Sequence, residues 1–365
     1  MMRMNETLGD RAGTAAIRVK NLAASVAVVV VACTAYALTP SYRAQLDKLY
    51  GGVGFSFTGL QFLAAAVAAY CALLGIYYVF EREPRISKSL RFWRVVGSFL
   101  RSPVAGLGRM QSPEDRLAVL ATVLKGFFGP MMTISAFQSF MGFVPHAEAL
   151  VAVTGWREDF LEIFNRHVYW FALNLIIFVD VVIFTLGYLV EMRSLKNEIR
   201  SVDPTLLGWA AALLCYFPFN AYITSAVLGR QVSDFPQFGD ATMHLVLNLT
   251  LLGLMFVYTS ASVALGLKAS NLTHRGIVTK WPYSMVRHPA YLCKNAAWWI
   301  GGIPLVLAAF SESFYGGILS FASIVGWSLL YVLRAVTEED HLRSVDGEYE
   351  AYAKKVRYRF VPGVY

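Results

Sequence analysis

The sequence predicts an all-α integral membrane protein, a polytopic helical bundle of about eight transmembrane helices. Hydrophobic residues make up 56 % of the 365 residues and charged residues 15 %, whereas soluble domains carry roughly a quarter of their residues charged. The apolar residues form continuous runs rather than an alternating pattern. Runs of about 20 residues can cross a bilayer, where helices satisfy every backbone hydrogen bond internally.

Eight apolar runs are predicted as membrane spans. They cover residues 22–39, 57–80, 118–144, 167–190, 205–229, 242–267, 295–311 and 314–336. The first run could instead belong to a cleavable signal peptide, since Ala35-Tyr36-Ala37 resembles a cleavage site, but its length favours a retained span. The last two runs are close enough to form a helical hairpin.

The distribution of basic residues orients the predicted bundle. Most lysines and arginines fall in alternate loops and in the terminal segments. Cytoplasmic loops carry this excess, so both termini are predicted to be cytoplasmic. The formal net charge of +8 is therefore attributed to topology and an anionic inner leaflet, not to a nucleic-acid partner. No cysteine–histidine spacing typical of metal ligands occurs, and no metal site is predicted.

A basic stretch between the second and third spans, residues 84–102, is predicted to be an interfacial helix. Its cations recur at three-residue spacing, at Arg85, Lys88, Arg91 and Arg94. Such a helix lies on the inner leaflet with its cations among acidic headgroups. A solvated basic loop is the alternative.

The first candidate functional motif lies between the sixth and seventh spans, at the predicted cytoplasmic mouth. Pro289 suits the first turn of a helix, where its missing N–H is not needed. Arg287 and His288 would then lie at the positive end of that helix, a natural place for an anion. These residues and Tyr291 could also be interfacial anchors only.

The second motif follows the eighth span. Arg334 and Glu338 are four residues apart and share one helical face, while Glu339 points about a third of a turn away. These groups predict a polar pocket closed by the last two spans. Such a pocket suits an amino-acid headgroup, and aromatic walls would suit the adenine of S-adenosylmethionine.

The two motifs together resemble the isoprenylcysteine carboxyl methyltransferase and phospholipid methyltransferase group. The resemblance rests on PYSMVRHPAY, followed by R-x3-EE-x2-L, then G-x-Y-x2-Y and a late proline. It covers residues 242–365, about a third of the chain. Residues 1–240 match no pattern of that group and form a separate, unassigned transmembrane region in the predicted domain organisation.

The resemblance implies an S-adenosylmethionine-dependent methyltransferase acting on a lipidic or lipid-anchored acceptor at the cytoplasmic face. The acceptor group could be a carboxylate, a phosphate or an amine. Arg287 and Arg334 are then the candidate catalytic residues, which hold or steer the acceptor. The implied cofactor-binding residues are Tyr283, His288, Pro289, Tyr291, Glu338 and Glu339.

The chain departs from the pattern of that group at three places. Trp281 and Cys293 stand where glycines are usual, and Asp346 replaces the phenylalanine before Gly347. Two other functions stay open beside the methyltransferase. One is a nicotinamide-dependent reductase of sterols or polyprenyl lipids on a related scaffold, and the other is a non-catalytic membrane protein.

One carboxylate is predicted inside the membrane. Asp180 lies in the fourth span at a depth similar to that of Lys125 in the third. Intramembrane charge is expensive and often functional. An ion pair between the two, a place in an acceptor tunnel and a water-filled cavity are the alternatives for Asp180.

Overall fold

The computed structural model describes residues 2–52, 55–81, 84–152, 160–229 and 232–364. These residues are mostly helical, with two short antiparallel strand pairs. The helices are α1 (Met2–Leu38), α2 (Pro40–Asp47), α3 (Gly59–Phe80), α4 (Lys88–Arg101), α5 (Pro103–Met110), α6 (Pro113–Ala152), α7 (Phe160–Ile163), α8 (Tyr169–Leu189), α9 (Leu206–Leu213), α10 (Ser225–Leu228), α11 (Ala241–Leu265), α12 (Pro289–Glu312), α13 (Phe314–Val345) and α14 (Tyr349–Lys355). The strands are β1 (Leu49–Gly52), β2 (Phe55–Thr58), β3 (Ser201–Val202) and β4 (Thr273–His274).

Seven helices in the described part of the chain are long and apolar enough to cross a membrane. They are Gly13–Leu38, Gly59–Phe80, Pro113–Ala152, Phe160–Leu189, Ala241–Lys268, Pro289–Glu312 and Phe314–Val345. Each contains or closely matches a predicted span, so the all-α polytopic fold is confirmed in outline. The cytoplasmic location of the termini stays a prediction.

The predicted fifth span, residues 205–229, is not a single helix. Its first part is α9 and its last is α10, with turns and a five-residue π-helix between them. Pro218 cannot donate a backbone hydrogen bond, and the chain loses regular helix around it. The Thr224 hydroxyl donates to the Leu214 carbonyl at 2.8 Å. Side chains thus satisfy part of the interrupted backbone.

This broken segment nevertheless follows α13 over most of a bilayer's depth. Just before the segment, in β3, Ser201 Oγ lies 3.0 Å from His341 Nε2. At its end, Trp327 Nε1 donates to the Gly229 carbonyl at 3.0 Å. Those two α13 residues are about 21 Å apart along the helix axis, at 1.5 Å per residue. Irregular backbone at such depth is tolerated where it is buried in protein or lines a cavity.

The chain forms two compact units, Met1–Ile134 and Ser135–Tyr365. In the first unit the predicted basic helix is confirmed as α4, although its position at the membrane interface stays a prediction. Ser87 caps α4 by accepting a hydrogen bond from the Leu90 N–H at 3.1 Å. The Trp93 indole donates to the Ala24 carbonyl at 3.1 Å, which ties α4 to α1.

The second unit contains both functional motifs. The hairpin of α12 and α13 packs beside α11, and α11 packs against α8. Gly301 on α12 permits one close approach, since a Cβ there would lie 2.3 Å from the Ser233 carbonyl oxygen. The predicted domain boundary at residues 240–241 falls inside this unit. A functional division at that point stays a prediction.

Candidate active site

A cavity of about 210 Å³ lies in the second unit, at the end of the α12–α13 hairpin that carries both motifs. Its walls come from α8, the break after α9, α11, the loop that follows α11, α12 and α13. Six of the eight predicted site residues line it: Tyr283, Arg287, His288, Tyr291, Arg334 and Glu338. Pro289 and Glu339 are not among the lining residues. The two motifs therefore meet at one cavity, as the sequence predicted.

Pro289 is the first residue of α12, as its sequence position predicted. It starts the helix that places Tyr291 beside α13. Tyr283 lies in the preceding loop, and its carbonyl accepts a hydrogen bond from the Tyr352 hydroxyl at 2.9 Å. Burial raises the pKa of the Tyr283 phenol, so the phenol stays neutral at physiological pH.

Glu338 is the carboxylate that faces the cavity. Its side chain is 26 % exposed, and its Oε2 lies 3.8 Å from His288 Nδ1. The Tyr291 hydroxyl donates to its Oε1, and Arg334 Nε lies 3.4 Å from the same oxygen. The predicted shared face of Arg334 and Glu338 is therefore confirmed. Glu338 keeps acceptor capacity toward the cavity.

Arg334 is a buried cation in the cavity wall, with 4 % of its surface exposed. It donates to the side-chain oxygen of Asn271. Its guanidinium carbon lies 5.0 Å from the centre of the Tyr291 ring and 5.8 Å from that of Tyr331. Aromatic faces attract a desolvated cation, so these rings and Glu338 together stabilise the charge of Arg334 inside the protein.

Glu339 faces away from the cavity and is fully buried. It accepts hydrogen bonds from four cationic or titratable side chains. These bonds are from Arg287 Nε at 2.8 Å, His288 Nε2 at 3.1 Å, Arg343 Nη2 at 2.9 Å and Arg359 Nε at 2.9 Å. Such saturation leaves little capacity for a cofactor ammonium, so Glu338 is the better placed of the two predicted acidic residues.

Arg287 is committed to the same internal cluster. Besides Glu339, it donates from Nη1 to the carbonyls of Val356 and Arg357, at 2.9 and 2.6 Å. Its backbone N–H donates to the Tyr358 carbonyl at 3.0 Å. The anion expected near the start of α12 is thus supplied by Glu339 of the protein itself. Arg287 touches the cavity, but its acceptor-holding role stays a prediction.

The far end of the cavity holds a lysine among aromatic rings. Lys294 Nζ lies 5.2 Å from the Trp298 ring centre and 5.7 Å from those of Tyr258 and Tyr331. Asp180, behind this wall, accepts a hydrogen bond from the Tyr258 hydroxyl at 2.8 Å and another from Ser262. Hydroxyl groups therefore bind Asp180, and its pairing with Lys125 stays a prediction.

Several site residues were missed by sequence reasoning. Asn271, which orients Arg334, lies in a loop without any recognisable motif. Arg343 and Arg359 complete the Glu339 cluster. No sequence signal pointed to Arg359, because Arg357 and Arg359 would share one side of an extended tail, yet only Arg359 reaches Glu339.

Asp346, one of the three departures from the methyltransferase-group pattern, contacts another residue in the structure. Asp346 Oδ2 lies 2.7 Å from Nε2 of the buried His274. Its other oxygen accepts a hydrogen bond from the Glu348 N–H at 2.9 Å. The carboxylate thus joins the loop after α11 to the end of α13. Cys293 is buried in α12, where a small apolar side chain fits the packing.

Comparisons with protein-family models, with curated proteins and with solved structures find no significant match. The resemblance to the membrane methyltransferase group therefore rests on the motif residues alone.

Proposed function

We propose that this protein is an S-adenosylmethionine-dependent methyltransferase that acts on a lipidic or lipid-anchored acceptor at the cytoplasmic membrane face. The observation that carries the proposal is the contact between Tyr291 and Glu338, which are 47 residues apart in the chain. They belong to the two motifs that resemble this enzyme group, and both line the same cavity.

The cavity residues fit the proposed cofactor in two respects. Glu338 is a partly exposed carboxylate that can accept hydrogen bonds from the cofactor ammonium. Tyr283, Tyr291 and Tyr331 give an apolar, aromatic wall of the kind that holds an adenine. The charge of Arg334, which would repel a nearby sulfonium, is balanced in part by Glu338 at 3.4 Å.

When bound, the cofactor supplies an activated methyl group, whose bond to sulfur breaks as a lone pair of the acceptor forms the new bond to carbon. The protein's contribution is alignment, because fixing two reactants in line can supply much of the barrier reduction. Arg334 and Lys294 are placed to hold an acidic acceptor. An acceptor carboxylate or phosphate needs no base, whereas an amine would need to lose a proton, for which Glu338 is available.

These two cations in the cavity wall favour an acidic acceptor over an amine. Like-charge repulsion would disfavour an ammonium headgroup next to Arg334 and Lys294. The acceptor would enter from the lipid, since the cavity lies between the ends of apolar helices. The N-terminal unit would then act in acceptor access or in oligomerisation.

A nicotinamide-dependent reductase is the second candidate, favoured by basic residues at the end of the cavity near the loop after α11, the end predicted to face the cytosol. Lys268 lines the cavity and Arg200 lies beside it. Two cations in such a place suit the phosphates of a dinucleotide. The same cavity would then hold a reducing nucleotide in place of the methyl donor.

Calorimetry on the purified full-length protein in detergent distinguishes these functions. Titration with S-adenosylmethionine should give saturable binding, and Glu338→Gln should weaken it by about tenfold to a hundredfold, the loss of one charge-assisted contact. Glu348→Gln, an exposed carboxylate outside the cavity, is the matched control. Binding of a nicotinamide dinucleotide alone would favour the reductase, and binding of neither would support a non-catalytic role.

A further inference from the structure

Two cations meet at one point on the loop after α11. Gly276 has a positive φ of 97°, which places it in a backbone conformation that glycine adopts without strain. A Cβ built on Gly276 would lie 3.2 Å from Lys268 Nζ and 3.6 Å from both Cζ and Nη1 of Arg200. The ammonium and the guanidinium therefore lie within 4 Å of the same position.

The backbone of both residues is held near Gly276. The β3–β4 pairing continues into a hydrogen bond from the Arg200 N–H to the His274 carbonyl, at 2.9 Å. Lys268 ends the 3₁₀ turn that follows α11, directly after Gly266 turns the chain. A strand pair and a helix end thus position both residues beside Gly276.

Neither Lys268 nor Arg200 forms an ion pair with a carboxylate of the described residues, and the nearby Asp346 contacts His274. Arg275, which is 2 % exposed, also lines the cavity, with Glu191 near enough to offset part of its charge. Its Nη1 donates only to the carbonyls of Asn197 and Leu267, at 3.0 and 3.3 Å.

Two hydroxyl groups complete the corner. Ser270 and Thr273 both line the cavity and hydrogen-bond to each other. Hydroxyl donors beside cations are the usual surroundings of a bound oxyanion. Like charges held this close repel each other, and an oxyanion between them would remove that repulsion.

We propose that Lys268, Arg200 and the space over Gly276 form an oxyanion subsite, which binds a carboxylate or phosphate of the cytosolic ligand that occupies the cavity. The inference rests on the proposed function in one respect, namely that a small-molecule cofactor enters this cavity. The amino-acid carboxylate of a methyl donor and the phosphate of a nucleotide share this chemistry.

The test compares full-length Lys268→Gln and Arg200→Gln with Lys280→Gln, a matched control that removes an exposed cation from the same loop. Calorimetry measures S-adenosylmethionine against its decarboxylated analogue, and melting temperature is followed with inorganic pyrophosphate. If the subsite takes the cofactor carboxylate, the wild type should prefer the complete cofactor by about tenfold, roughly one charge-assisted contact. Lys268→Gln should lose that preference, and Lys268→Arg should restore most of it.

If the subsite takes a phosphate, pyrophosphate should raise the melting temperature of the wild type and of Lys280→Gln, but not of Lys268→Gln or Arg200→Gln. The subsite is refuted if both variants match Lys280→Gln in cofactor preference and in the pyrophosphate response. Failure of S-adenosylmethionine to bind the wild type contradicts the proposed function alone, because the pyrophosphate measurement still decides the fate of the subsite.

Discussion

Two adjacent carboxylates on α13 have opposite surroundings. Glu338 faces the cavity, partly exposed, with the Tyr291 hydroxyl and Arg334 as neighbours. Glu339 points to the other side, fully buried, and accepts hydrogen bonds from arginines of three different segments. The cavity side keeps acceptor capacity for a ligand, while the buried side is occupied by the protein's own groups.

The difference teaches how one helix end can serve both binding and stability. A rotation of about 100° between successive helical residues separates an available charge from a saturated one. His288 joins the two sides, since Nε2 contacts Glu339 at 3.1 Å and Nδ1 lies 3.8 Å from Glu338. The internal cluster thereby fixes the ring that borders the cavity.

Replacing Glu339 should have the largest effect on stability. Glu339→Gln keeps the shape but leaves Arg287, Arg343 and Arg359 without their shared anion, and removal of one partner of a buried ion pair costs about 3–5 kcal/mol. We expect a large fall in the melting temperature in detergent. Asp340→Asn, an exposed neighbour on the same helix, is the control; equal melting temperatures for the two variants would contradict the cluster's role.

Replacing Glu338 should weaken ligand binding more than it lowers stability. Glu338→Gln should lose clearly less stability than Glu339→Gln, because the side chain is partly exposed and Arg334 keeps Asn271 and its aromatic neighbours. It should nevertheless bind S-adenosylmethionine roughly tenfold to a hundredfold more weakly. Melting curves and calorimetry on the same preparations give both quantities. A variant that loses stability as Glu339→Gln does, with unchanged binding, would remove the contrast between the two carboxylates.

Detaching the tail should have an intermediate effect. Arg359 donates from Nε and Nη2 to both oxygens of Glu339, at 2.9 and 3.0 Å. Arg359→Ala should lower stability by about 1.5–3 kcal/mol, the range for hydrogen bonds to charged groups. Arg357→Ala is the matched control, because its side chain is exposed and only its carbonyl contacts Arg287. Chemical denaturation of both variants should show a loss for Arg359→Ala alone.

The smallest expected effect concerns pH. Burial lowers the pKa of His274, and the nearby Arg200 and Lys268 lower it further, while Asp346 opposes them. The unfolded chain, whose histidine titrates near pH 6.5, then takes up the proton more readily than the folded protein. Stability should therefore fall as the pH drops through about 6.5.

His274→Asn should flatten that dependence. The measurement is the melting temperature of both proteins from about pH 7.5 down to about pH 5, a range that spans the ordinary histidine pKa. If the melting temperature of His274→Asn falls at acidic pH as much as that of the wild type, other titrating groups cause the loss of stability.

The helical part of the fold was predictable because continuous apolar runs leave few alternatives inside a bilayer. Seven of the eight predicted spans are long helices, and the exception is instructive. Residues 205–229 have the composition of a span, but Pro218 interrupts the hydrogen-bond ladder. A mean hydropathy over residues 205–229 does not detect this interruption. The path of the segment is seen only from its packing against α13.

The candidate site was predictable to the extent that its residues belong to a local pattern. Arg334 and Glu338 share a face by helical geometry, and Pro289 starts α12 by its chemistry. The different fates of Glu338 and Glu339 could not be read from the sequence, because they depend on Arg359, which lies 20 residues away in the tail. Asn271 and Lys268 join the site through tertiary packing alone.

The tail contacts also bear on how the protein is made. Arg287 and His288 donate their backbone N–H groups to the carbonyls of Tyr358 and Arg359, which follow all seven candidate membrane helices of the described residues. Those helices leave the ribosome first, so the bundle can insert into the bilayer before these bonds form. The part of the cavity wall that Arg287 and His288 supply is therefore fixed only after the helices around the cavity have been made.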